Sequence, residues 1–135
     1  MITESEFIAA ADRTLAGIGV ALDAAVARSD VDLDWGLNDG ILQIECEDGS
    51  KLIVNRHVPN REIWVAARSG GFHFRPRDGR WRDTRSGEEL GAALAALCAV
   101  ALPWLHVKMI PAAAALGLVA LVRLRGRARA AFLAV

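Results

Sequence analysis

Residues Gly49 to Phe74, GSKLIVNRHVPNREIWVAARSGGFHF, place a large aromatic where it can meet a partner. If Ile63 and Val65 face a core, period-two geometry sends Trp64 to the opposite, solvent-facing side. An exposed Trp beside Asn55 and a charged loop has the composition of an interface anchor, because Trp and Arg are over-represented at such anchors. The alternative is a Trp half-covered by a loop. A second feature is the alternation Asp30-Val31-Asp32-Leu33-Asp34, which sets three carboxylates on one face of a strand with Val31 and Leu33 on the other. Such a row is also what a solvated edge strand uses to discourage strand-to-strand aggregation.

Other chemistry is poorly served. His57, His73 and His106 show no HxxH or HExxH spacing, and neither Cys46 nor Cys98 has a partner two residues away, so the pattern argues against zinc. No Gly-rich phosphate loop follows a strand and opens a helix, and Gly70-Gly71 reads as a hairpin. Nothing supports a catalytic triad. Arg75, Arg77, Arg80, Arg82 and Arg85 form a basic run over a turn and a strand, read either as a solvated face or as the complement of an acidic partner surface.

The elements that must hold these residues follow from periodicity. Thr3 and Glu6 have capping-box spacing, opening a helix whose Ile8, Ala11, Leu15, Ile18, Leu22 and Val26 form one apolar stripe, interrupted by Gly17 and Gly19. Strands are expected over Asp30–Asp34, Ile41–Glu47, Lys51–Asn55, Glu62–Ala67, Phe72–Phe74 and around Trp81. Short turns at Asn38-Asp39-Gly40, Asp48-Gly49, Pro59-Asn60 and Asp78-Gly79 make them an antiparallel meander. Ser86 and Glu89 repeat the capping-box spacing before Leu90, Ala93, Leu94 and Leu97, and Pro103 should stop that second helix. Both stripes are buried only if the helices share one face of the sheet. The expected fold is α+β, a two-layer sandwich with two helices on one face of an antiparallel five- to six-stranded sheet.

At 135 residues the chain accommodates one such domain, 1–102, and an extension, 103–135. The formal net charge of zero hides an asymmetry: residues 1–98 carry 16 acids and 11 basic residues, a net −5, while residues 99–135 carry only Lys108, Arg123, Arg125, Arg127 and Arg129. An acidic domain argues against nucleic acid as partner. Two cysteines far apart in sequence fit a reduced, cytoplasmic setting, and MITESEF is no secretory leader. Val100 to Val122 is 23 residues long but broken by His106, Lys108 and two prolines, so a helical appendage is favoured over a membrane anchor.

With these elements in place, the chain resembles bacterial frataxin, the CyaY-type proteins, from SEF to about Leu97. The resemblance is densest in DGSKLIVNR, EIWVAARSGGFHF and GRW followed by DTRSGEE. It implies an iron-binding, non-enzymatic protein of iron–sulfur cluster assembly, a monomer acting as iron carrier or regulator by docking on the cysteine desulfurase–scaffold complex. It also implies weak iron binding on an acidic ridge whose matching positions are Asp23, Asp30, Asp32 and Asp34, and a docking face at Asn55, His57, Glu62, Trp64 and Gly71. Carboxylate oxygens suit iron, and closely set acids attract a cation. The ridge is thinner than the family pattern, with Gly19, Val20 and Ala24 where acids are usual and Ile8 where His often stands. The other readings are an interaction module with little iron binding, and a ferroxidase or iron store.

Overall fold

The structure, a computed structural model, describes residues 1–28 and 31–100. Helix α1 spans Glu4–Val26 and begins as its sequence predicts. Glu6 N donates to Thr3 Oγ1 (3.3 Å) and Thr3 N donates to Glu6 Oε2 (2.8 Å), which satisfies two free donors of the first turn. Those hydrogen bonds hold the Glu6 carboxyl below its ordinary range. The helix runs unbroken through Gly17 and Gly19.

Six strands follow, β1 Leu33–Asn38, β2 Ile41–Cys46, β3 Lys51–His57, β4 Glu62–Ala67, β5 Gly70–Arg77 and β6 Arg80–Asp83. They pair in sequence order as one antiparallel sheet, and α2, Leu90–Val100, closes the domain. The two-residue turns explain the order. Asp39 and Gly40 (φ 45° and 75°) and Asp78 and Gly79 (φ 51° and 72°) take left-handed backbone at both central positions, the hairpin geometry that matches strand twist.

Both helices lie against one face. Phe7, Leu15, Leu42, Ile44, Val54, Ile63, Val65 and Phe74 are its most completely buried large side chains, each stabilising the fold by about 1.5–3 kcal/mol on burial. The buried band of α1 is wider than the predicted stripe, taking in Phe7, Ala10, Thr14, Ala21 and Ala25, while Val26 at its end is 37% exposed. Trp81 joins the core edge-on to Phe7 (centroids 5.9 Å, 76°), and its indole N–H donates to Thr14 Oγ1 at 2.9 Å.

Two expectations shift. The first strand begins at Leu33, opposite Cys46, later than expected, because the Asp48-Gly49 turn ends β2 there and leaves Val31 and Asp32 no partner strand among the described residues. The alternation itself holds among the described residues: Val31 and Leu33 are buried, Asp32 and Asp34 exposed. Helix α2 starts at Leu90 without the Ser86–Glu89 box. Glu89 is instead drawn into a bridge with Arg82 and an ion pair with Arg80 (3.1 Å), and Ser86 Oγ accepts from Glu88 N. That bridge, with Asp83 N donating to Glu88 O, covers the β6 edge. The extension and the predicted stop at Pro103 lie outside the described residues. No helix among the described residues is long and apolar enough to cross a membrane.

Candidate functional site

The open face of the sheet carries the predicted docking residues, and register decides who meets whom. Alternation in β4 buries Ile63 and Val65 and turns Trp64 outward. Asn55 on β3 and His73 on β5 stand directly opposite Trp64, one on each side. His57, two residues along β3, reaches it diagonally. The result is a three-ring stack across three strands. His57 and Trp64 are 3.8 Å apart and 9° from parallel; Trp64 and His73 are 4.6 Å apart at 17°. Trp64 is half-buried and stacked between these two imidazoles.

Beneath the stack lies Glu62, 3% exposed. Its carboxylate accepts from Trp64 Nε1 (2.7 Å) and Arg75 Nε (2.7 Å), and His73 Nδ1 lies 3.3 Å away. Burial acts to raise this carboxyl, but the hydrogen bonds from Trp64 and Arg75, with the charge of Arg75 and the nearby His73, hold it below its ordinary range. A carboxylate bonded to charged and neutral donors from two strands fixes the indole plane, since such bonds are directional and stronger than neutral ones. Glu62 therefore orients Trp64 from below and is itself shielded from a partner. His57 has no such tie: its Nδ1 is buried without a hydrogen-bond partner, so the ring is held by stacking. Gly71 is exposed, and its carbonyl accepts from Arg85 Nη2 at 2.7 Å.

Sequence reasoning left His73 without a role and read Arg75 only as part of a basic run, not as a partner of Glu62. A signal was present, because a hairpin turning at Arg68-Ser69 pairs Trp64 with His73 and Glu62 with Arg75.

The acidic ridge is less assembled. Asp23 is exposed on α1, but its Oδ1 accepts from Trp35 Nε1 at 2.8 Å. Asp32 and Asp34 are exposed at the start of the sheet, and Asp30 lies outside the described residues. Among the described residues no three His, Cys, Asp or Glu side chains converge as metal ligands. The carboxylates suit electrostatic attraction of a hydrated cation better than chelation. The thinning at Gly19 has a steric cause. A Cβ there would lie 2.5 Å from Cη2 and 2.7 Å from Cζ3 of Trp35, so the ring occupies the space of a side chain. Nearer the start of α1, Asp12 is paired with Arg56, which also reaches Asp39 at 3.4 Å.

Comparison with known proteins agrees with this fold. The Frataxin-like domain profile matches residues 1–103. The chain is 53% identical over 93 residues to the iron-sulfur cluster assembly protein CyaY of Ralstonia nicotianae, covering 69% of this chain and 82% of that one. It is 52% identical over 96 residues to the CyaY protein of Cupriavidus pinatubonensis, covering 70% and 86%. Among solved structures, frataxin from Psychromonas ingrahamii superposes with a TM-score of 0.60 at 34% identity, covering 70% of this chain and 87% of that one. The match over most of the chain, with the same helix–meander–helix order, makes this protein a member of the frataxin-like family.

Proposed function

We propose that this protein serves iron–sulfur cluster assembly, docking through the open sheet face on the cysteine desulfurase and its scaffold and acting there as an iron carrier or regulator. The observation that carries the reading is the His57–Trp64–His73 stack, held from below by Glu62. A pre-oriented aromatic loses little entropy on binding, which is what an anchor needs. Asn55 and Gly71 complete the contact surface, and the relatives' names supply the process. The domain works as a monomer in the cytoplasm, without nucleic acid or membrane as partner. Iron is a weakly held cargo, drawn by Asp32, Asp34, Asp30 and, in part, Asp23.

Trp64→Ala tests the docking half. Binding to the desulfurase–scaffold complex should fall at least tenfold, about 1.4 kcal/mol or more, while the circular dichroism melt stays cooperative. Full binding, or a collapsed fold, contradicts the reading. Calorimetry of ferrous and ferric binding to a variant with Asp30, Asp32 and Asp34 changed to Asn tests the other half, and unchanged affinity removes the ridge assignment.

A second reading, an interaction module with little iron binding, is favoured by one observation: Asp23 is engaged by Trp35. Ferroxidase activity needs converging carboxylates and has less support. Reconstituted cluster synthesis at varied iron separates the readings, since a pure interaction module acts identically at every iron level.

A further inference from the structure

The corner of the open sheet face at β5–β6 carries an arrangement that folding alone does not favour. Register sets Arg75 directly opposite Arg82 and Arg77 directly opposite Arg80. Alternation with buried Phe74 and Trp81 puts all four on the same, outer side. Like charges facing each other across a ladder are destabilising. Three of the four are partly compensated: Arg75 by Glu62, Arg80 by Glu89, and Arg82 by the Gly87 carbonyl at 3.1 Å. Arg77 has no ion pair among the described residues, and neither does Arg61, held in the left-handed region (φ 51°) of the β3–β4 turn. Those two guanidinium-bearing residues line a common cavity of about 640 Å³, which also takes in Ile2, Asn60 and Pro76. Glu6 and Asp78 line the same cavity but do not neutralise the arginines by contact, because Glu6 is committed to the α1 cap and Asp78 forms no ion pair among the described residues.

We propose that Arg61 and Arg77, with the Arg75/Arg82 pair beside them, form the seat for a short acidic segment of the protein that docks on Trp64; the inference rests on the docking reading above. Two features select this occupant. The seat is continuous with the docking face, since Arg75 and Trp64 share the Glu62 carboxylate. The domain as a whole is acidic, with a net −5 over residues 1–98, which repels a long polyanion such as nucleic acid but leaves a local basic corner open to a short acidic stretch. At the far corner of the same face, Asp34 and Glu45 are in register on β1 and β2, with Lys51 paired to Glu45. The two corners are separated by roughly 24 Å across the strands alone, at about 4.8 Å per strand, and lie at opposite strand ends. A partner with acidic residues at the arginine corner therefore docks in one orientation only, and the arginines act as specificity determinants.

The test uses the full chain with Arg61→Glu and Arg77→Glu combined, neither of which forms an ion pair among the described residues. Binding to the desulfurase–scaffold complex is measured from about 50 to about 200 mM salt, beside Trp64→Ala and with circular dichroism melts of each variant. The double variant should bind about tenfold more weakly at low salt, with the difference shrinking as salt rises. Trp64→Ala should bind more weakly with its salt dependence retained. If the double variant binds like the parent at every salt while Trp64→Ala is impaired, the arginine seat is overturned and the docking reading survives. If Trp64→Ala binds like the parent, the docking reading fails, and titration with a short glutamate-rich peptide then decides the seat alone. Peptide binding lost in the double variant supports it, and no binding to the parent overturns it. A single-stranded oligonucleotide of equal charge that binds the parent more tightly than the peptide also overturns the choice of occupant.

Discussion

Replacing Gly19 by Ala sets two effects of opposite sign against each other. In a helix interior, Ala is favoured over Gly by about 1 kcal/mol, and Gly19 lies well inside α1. The new Cβ would stand 2.5, 2.7 and 3.0 Å from three atoms of the Trp35 ring. That ring is pinned at its far side by the hydrogen bond from Nε1 to Asp23. Either the contact is endured, at about 1–3 kcal/mol for overpacking, or the ring swings out and the bond to a carboxylate is lost, at about 1.5–3 kcal/mol. Because Asp23 is exposed, the lower part of that range applies, about 1.5–2 kcal/mol, and the net expectation is a loss of about 0.5–1 kcal/mol, against a propensity that alone predicts a gain. For a domain of this size that is a fall in Tm of roughly 2–8 °C. Urea unfolding followed by circular dichroism gives the free energy. In a Trp35→Leu background the space is open, and Gly19→Ala should then stabilise by up to about 1 kcal/mol, a coupling of about 1.5–2 kcal/mol across the cycle. A stabilised single variant in the parent background refutes the reasoning, because it means the ring yields without cost.

Trp35→Phe keeps a ring over Gly19 but removes the donor to Asp23, so the carboxylate is released; ferrous affinity should rise about two- to fivefold, the equivalent of one net hydrogen bond, and calorimetry checks it. Glu62→Gln should destabilise the domain at neutral pH by about 1.5–3 kcal/mol, since it weakens bonds to a charged acceptor. The Glu62 carboxyl is held below its ordinary range in the folded state, so its contribution is fully present above that range and is lost as pH falls through the lowered value. The Tm gap between parent and variant should therefore close in acid, and a gap of constant size from neutral to acid pH contradicts the role given to Glu62.

Much of the fold was legible because its signals are local. Turn pairs at Asp39-Gly40 and Asp78-Gly79 need only their own backbone preferences, and the Thr3–Glu6 box needs only residues three apart. The Ser86–Glu89 box has the same spacing and did not form, because Arg80 and the backbone of Arg82 compete for Glu89 across the sheet edge. A local pattern loses when a distant strand offers its residues better partners.

The candidate site divides the same way. Alternation by itself determined that Trp64 points away from the core and that Asp32 and Asp34 are exposed, since a strand's period is a property of its own backbone. Only the tertiary structure decided that His57 and His73 flank Trp64, that Glu62 lies beneath it, that Trp35 fills the space above Gly19 and engages Asp23, and that four arginines face one another in two pairs. Each of those contacts joins residues on different elements, and register, which sets them, is fixed by the lengths of all the turns and strands between them acting together.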